Sequence, residues 1–266
     1  MRGEIRALEA AFKGRIGAYA VDTGTGRVVG NRGDERFPLA STFKAVVAAA
    51  VLQKARTTTP GLMKRVVRWK ADEVLPYSPV TEKHVGDGMT VAGLCEAAVT
   101  QSDNTAGNLL LKEAGGPAGL TRFFRSLGDR ASRMDRWEPE MNRWAPGEKR
   151  DTTTPASMAR DFQRLTTGDA LHAKDRDRLN AWLVANKTGD RRIRGGLPKS
   201  WRVGDKTGTG GTYGSANDVA VVWPVKDAPP VVMAIYTNRR AADGDVDEKV
   251  LAETAAILAR GLGRLN

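Results

Sequence analysis

Cysteine is almost missing from this chain: Cys95 is the single one in 266 residues. That excludes an intrachain disulfide and any zinc site built on paired cysteines. Histidine is nearly as scarce. His84 and His172 lie far apart and form neither an HxH nor an HExxH arrangement, so a Ser-His-Asp triad would have to draw on one isolated imidazole. His172 opens the helical-looking "LHAKDRDRLNAWLVANK" and reads as a surface residue, while His84 lies in the polar connection "TEKHVGDGM". No stretch approaches the roughly 20 uninterrupted apolar residues of a membrane span. The start, "MRGEIRALEAAFKGRIG", is charged throughout and lacks the apolar segment of an export signal. It fits a cytosolic protein or the processed form of an exported one.

Acidic residues are also short: 42 Lys and Arg face 31 Asp and Glu, a net charge of +11. That balance invites a nucleic-acid reading. However, the basic residues are spread along the chain among acidic ones, and no RNP-like or zinc-finger motif appears. Solvated arginine-rich faces account for the charge, and a basic field can still attract a small anionic substrate. Neither a nucleic-acid nor a membrane partner is expected.

What is present describes an ordinary globular protein, 41% apolar and long enough for one large domain or two modest ones. The first dozen residues carry a helical pattern, with Ile5, Leu8, Ala11 and Phe12 on one side. "RIGAYAVDTGTGRVVGNR" reads as a hairpin. "WRVGDKTGTGG", "NDVAVVWP" and "PPVVMAIYTN" read as three late strands, followed by the helix "DEKVLAETAAILARGL". Short connections favour antiparallel pairing, with the two chain ends sharing one sheet. The middle is helical instead. "TFKAVVAAAVLQKA" is apolar nearly all round, as a buried central helix would be. Two more helices break at Ser102-Asp103-Asn104, "GPAGLTRFFRSLG" is another, and Thr154-Pro155 supplies a cap and a first-turn proline for the next. The expected fold class is α/β (α+β): an antiparallel sheet with helices from residues 1–33 and 186–266, and an all-helical subdomain from 34–185.

Three short motifs could carry chemistry. Ser41 and Lys44 in "ASTFK" share one helix face. A hydroxyl becomes a useful nucleophile when a neighbour takes its proton, and a lysine in a low-dielectric site can be neutral enough to do so. The bland alternative is a serine cap beside a solvated lysine. Ser102-Asp103-Asn104 has a strong bland reading too, because these residue types cap helices. "KTG" occurs twice. Lys187-Thr188-Gly189 follows a helix and reads as its stop signal. Lys206-Thr207-Gly208 lies on a strand where small residues let a ligand approach the backbone, and is taken as the site. A fourth stretch, "DRWEPEMNRW", fixes two carboxylates in a segment that Pro139 keeps from being an undisturbed helix.

The order and separation of the three motifs resemble the penicillin-recognising serine acyltransferases. Within that superfamily "RWEPEMN" resembles the class A β-lactamase omega-loop motif, and the resemblance covers essentially the whole chain. It implies a serine acyl-enzyme route to hydrolysis of penicillins and cephalosporins, with no cofactor and no metal. Ser41 would be the nucleophile, and the N–H groups of Ser41 and Thr209 the oxyanion hole. Lys44 or Glu138 would take the hydroxyl proton, and Ser102, assisted by Lys44 and Lys206, would relay a proton to the lactam nitrogen. Glu138 with Asn142 would hold the hydrolytic water. Tyr77, Asn104, Thr207, Gly208, Thr209 and Arg192 would bind substrate, and Lys206 would join them. Arg136 and Asp151 would tie the ends of the loop 136–151, and the Glu138-Pro139 bond would be cis.

The chain departs from the family pattern in three places. Ala40 and Gly210 stand where some carbapenem-hydrolysing members carry a disulfide. Cys95 lacks the partner cysteine of other members, and Met141 replaces a more usual leucine. The alternatives are a penicillin-binding D,D-peptidase or a non-hydrolysing β-lactam sensor, both of which need Glu138 to be idle. The expected partner is a small β-lactam, the expected state a monomer. The expected location is periplasmic or secreted, with an export signal already removed.

Overall fold

The structure, a computed structural model, describes residues 1–225 and 228–265. In chain order, helix α1 (Arg2–Phe12) precedes strands β1 (Gly14–Asp22), β2 (Val28–Asn31) and β3 (Phe37–Pro38). A 3-10 turn (Ala40–Thr42) leads into α2 (Phe43–Thr57), and β4 (Val66–Val67) and β5 (Met89–Thr90) follow. Next come α3 (Val91–Thr100), α4 (Asn104–Glu113), α5 (Gly116–Ser126), β6 (Thr152–Thr153), α6 (Pro155–Thr166) and α7 (Ala173–Val184). The chain finishes with β7 (Arg202–Thr209), β8 (Ala216–Trp223), β9 (Val231–Arg239) and α8 (Glu248–Gly261).

The main sheet has the order β2-β1-β9-β8-β7, with every pair antiparallel. The first strands of the chain therefore pair with the last, as the apolar patterns at both ends suggest. β9 explains why its run is apolar without alternation: both its faces are covered. Val231, Met233 and Ile235 join a cluster with Ile5 of α1 and Leu251 and Leu258 of α8. Val232, Ala234 and Tyr236 point the other way, into the larger core that holds α2 and residues Met158 and Phe162 of α6. Each fully buried Val, Ile, Leu, Met or Phe among them contributes roughly 1.5–3 kcal/mol.

α2 is buried from Phe43 to Ala49 and lies against α3, α4, α5 and α7, which accounts for its lack of a polar face. Thr154 caps α6 by accepting from the Ser157 N–H at 3.2 Å, with Pro155 at the first helical position. His172 caps α7 and is exposed, as its sequence context suggests. Cys95 is fully buried, and burial pushes its thiol pKa up.

Residues 34–185 are not wholly helical. β3 pairs with β6, Phe37 opposite Thr153, and β4 pairs with β5, Val66 opposite Thr90. Two residues are too few to leave a period-2 pattern in the sequence. Among the described residues, no helix is long and apolar enough to cross a membrane.

Candidate active site

Ser41 sits in the 3-10 turn that feeds α2 and is buried. Ala40, just before it, has φ 41°, a left-handed conformation that costs an L-residue energy and that the surrounding structure must enforce. One helical turn on, Lys44 Nζ lies 2.9 Å from Ser41 Oγ. Lys44 is completely buried, and it also donates to the Ser102 carbonyl (2.7 Å) and Asn104 Oδ1 (2.6 Å). Gly107 of α4 makes room for it, because a Cβ there would lie 2.8 Å from Lys44 Cε. Burial lowers the Lys44 pKa, and the nearby Glu138 carboxylate opposes that shift. The bland reading of this pair therefore fails. Ser41 Oγ faces Lys44 and Glu138, and Lys44 has no solvent.

Ser102-Asp103-Asn104 divides its work. Asp103 is the cap of α4, accepting from Ala106 N at 2.9 Å. Its carboxylate also accepts from Val80 N (3.0 Å) and Thr81 N (2.9 Å), which fastens the segment carrying Tyr77 beside α4. Asn104 adds a bond from its Nδ2 to the Pro76 carbonyl, 2.8 Å. Tyr77 and Ser102, both at φ 58°, are thereby held in left-handed conformations. Ser102 Oγ accepts from Lys206 Nζ at 3.0 Å.

Lys206 is as buried as Lys44, and its pKa falls well below the ordinary lysine value through burial and then through the charge of Lys44. It stands on β7, whose end runs against the Ala40–Ser41 turn. A Cβ on Gly208 would lie 3.1 Å from the Leu39 carbonyl and 3.2 Å from Ser41 N, so glycine permits this approach. Behind β7, Arg192 is 5% exposed. It donates to the Gly208 carbonyl (2.7 Å), the Asn217 carbonyl (2.8 Å) and Thr209 Oγ1 (2.8 Å), and pairs with Glu248 at 3.0 Å.

Glu138 closes the cluster. Its bond to Pro139 is cis. Glu138 Oε1 lies 3.4 Å from Ser41 Oγ and 3.3 Å from Lys44 Nζ, and Oε2 accepts from Asn142 Nδ2 at 2.5 Å. Arg136 and Asp151 join the loop's ends at 2.6 Å, and Asp151 also accepts from the backbone N–H groups of Asp135 and Arg136. A cleft of about 550 Å³ opens over this group, lined among others by Ser41, Tyr77, Ser102, Asn104, Asn142 and Thr209. Such an arrangement can deprotonate a serine, cradle an anion and activate a water.

Sequence comparison decides the family. The profile of the Beta-lactamase enzyme family matches residues 1–262. The chain is 52% identical to β-lactamase AST-1 of Nocardia asteroides, over 96% of its own length and 82% of that protein's. It is 50% identical to the carbapenem-hydrolysing β-lactamase KPC of Klebsiella oxytoca, over 96% and 87%. The crystal structure of a β-lactamase from Streptosporangium roseum superposes with a TM-score of 0.98 at 68% identity, covering 99% of this chain and 98% of that one. An ancestral class A β-lactamase superposes at 0.92 with 53% identity, over 97% and 98%. The chain belongs to the class A β-lactamases.

Two residues of this β-lactamase's site escape sequence reading. Asn108 pins the Glu138 backbone from both sides, donating to its carbonyl (2.9 Å) and accepting from its N–H (3.0 Å). It lies inside a helix, where a polar residue reads as a solvent face. Thr188, in the KTG set aside as a helix stop, borders the cleft and meets Thr207 Oγ1 at 2.5 Å. The repetition of the motif was the available signal. Neither histidine belongs to the cleft lining.

Proposed function

We propose that this β-lactamase destroys penicillins and cephalosporins through an ester on Ser41, and so protects its host from those antibiotics. Ser41 Oγ attacks the lactam carbonyl, and the Ser41 and Thr209 N–H groups stabilise the oxyanion. The hydroxyl proton passes to Lys44, which is the closer base at 2.9 Å against 3.4 Å for Glu138. A neutral Lys44 donates to the Ser102 carbonyl and Asn104 Oδ1 and keeps its lone pair for Ser41. As the lactam C–N bond breaks, the proton reaches the nitrogen through Ser102, whose hydroxyl is flanked by Lys206. Glu138, oriented by Asn142, then takes a proton from water. The new C–O bond forms, the ester to Ser41 breaks, and Ser41 regains its proton.

Asn104, Tyr77, Lys206, Thr207, Gly208 and Thr209 grip the substrate. Arg192 acts through Thr209: its guanidinium occupies one lone pair of that hydroxyl, leaving the hydroxyl proton to point at the substrate carboxylate. The cleft lies where the half built from residues 1–33 and 186–266 meets the half built from 34–185. We place the enzyme in the periplasm or outside the cell, as a monomer, because its substrates act on the wall.

The observation that carries this reading is the convergence of Lys44 and Glu138 on one serine hydroxyl. The test is to mix the enzyme with a simple penicillin while following lactam absorbance and intact mass. Many turnovers with little standing adduct are expected. Glu138→Ala should acylate and then stall, and Ser41→Ala should form no adduct. One equivalent consumed by the parent, with a lasting adduct, would instead mean a penicillin-binding protein or a sensor.

A further inference from the structure

The turn between β7 and β8 touches the far half of the Glu138 loop at three points. The Gly211 N–H donates to the Asn142 carbonyl at 3.3 Å. Thr212 Oγ1 donates to the Trp144 carbonyl at 2.6 Å. The Tyr213 ring meets Trp144 edge-on, with centroids 5.7 Å apart and planes at 79°. Trp144 is 4% exposed, so this is a packed contact and not a surface touch. The turn is itself anchored: Tyr213 N donates to the Ala242 carbonyl (2.8 Å), and Arg239 N donates to the Tyr213 carbonyl (2.6 Å). Tyr213 is held at φ 56°, which leaves the turn little freedom to follow the loop.

We propose that Thr212, Tyr213 and Trp144 form a clasp that positions Asn142 and, through it, Glu138 for deacylation. The inference rests on the reading of Glu138 and Asn142 as the water-holding pair. The Arg136–Asp151 pair fixes the ends of the loop, and Arg136 also donates to the Arg143 carbonyl at 3.1 Å, but the carbonyls of residues 142 and 144 are held by the turn. The clasp bonds end on the main-chain carbonyls of residues 142 and 144, so they fix the backbone from which the Asn142 amide reaches Glu138. Small displacements at a water-activating carboxylate cost rate steeply. Ser41 and Lys44 make no bond to the clasp and keep their own contact at 2.9 Å, so acylation should feel it far less than deacylation does. These three side chains are positioning residues: none touches the reacting atoms.

The test separates the two half-reactions. Thr212→Val keeps the branched shape and loses the hydroxyl donor, whereas Thr212→Ser keeps the donor. With a simple penicillin, Thr212→Val should lower kcat and KM together by about tenfold, the loss expected for one well-placed bond. Its kcat/KM, which reports acylation, should stay within about twofold. Intact mass should then find the acyl-enzyme as the main steady-state species, and Thr212→Ser should behave as the parent. Trp144→Phe should shift the same quantities in the same direction if Thr212→Val melts too low to assay. A fall in kcat/KM without adduct, or no change at all, overturns the clasp. Glu138→Ala run in parallel distinguishes the failures. If it accumulates adduct and Thr212→Val does not, the clasp is wrong; if neither does, the role of Glu138 is wrong.

Discussion

A lysine buried in the core is costly, and this site buries two. Lys44 and Lys206 reach into one cluster, and each is pushed toward neutrality by loss of water. If Lys44 takes the Ser41 proton as proposed, it can do so only when neutral, and acylation should fail on the acid side as Lys44 takes up a proton. Replacing Glu138 with Gln removes the charge that favours protonated Lys44 and should move that limb of kcat/KM to lower pH. An unmoved limb would take Lys44 out of the proton transfer. Packing offers a second test at this scale. Gly107→Ala sets a methyl 2.8 Å from Lys44 Cε inside α4. The lysine stem must shift, and its Nζ with it, so the acylation rate measured by stopped flow should fall about tenfold or more while the melting temperature changes little. An unchanged rate would mean that Lys44 has slack the geometry denies. Ser41, Lys44 and Lys206 were legible because their motifs are local. Asn108 was not, since its partner lies 30 residues away and nothing in a helix pattern announces such a bond.

Elements were read best where they are long. The strand-like runs and turn signals at both chain ends and the apolar run of α2 sufficed, because burial of a long element marks many residues at once. The two-residue ladders β3–β6 and β4–β5 escaped for the opposite reason. Helix α6 carries a feature that no periodicity predicts. Its Asp161 is 1% exposed and faces Asp129, and each has an oxygen without a donor among the described residues. A single proton shared between them would supply the missing donor to both. Burial, then the Asp129 charge, raises the Asp161 pKa to about 10, with Arg164 and Arg125 opposing. The folded protein thus holds a proton that the unfolded chain releases near the ordinary aspartate value of 3.8. Folding is favoured by this pair at low pH, and that advantage drains away as pH rises from about 4 to about 10. The slope can approach about 1.4 kcal/mol per pH unit. Asp161→Asn keeps a donor toward Asp129 and cannot ionise. Its melting temperature should exceed the parent's at pH 8, by about 2–4 °C for each kcal/mol relieved, and converge with it near pH 4. Parallel melting curves across that range would show that no proton is shared.

At the scale of the whole molecule the unexplained property is the charge of +11. The site itself contributes little to it, because Lys44 and Lys206 are buried and pushed toward neutrality, and Arg192 is paired with Glu248. Much of the surplus lies elsewhere, as with Arg160, Arg164, Arg176 and Arg202 around a separate surface depression. A field from scattered charges acts at long range and raises the rate at which an anion arrives, without changing what happens after it binds. Its signature is therefore a kcat/KM that falls with salt at constant kcat. Between about 10 mM and 300 mM salt the Debye length shrinks from roughly 30 Å to under 10 Å, so a substrate whose net charge is −1 should lose about two- to fivefold in kcat/KM. A zwitterionic cephalosporin of zero net charge should lose little, which makes it the internal control. Equal salt dependence for the two would assign the basic surface to solubility or to another partner, and leave capture of substrate to the cleft.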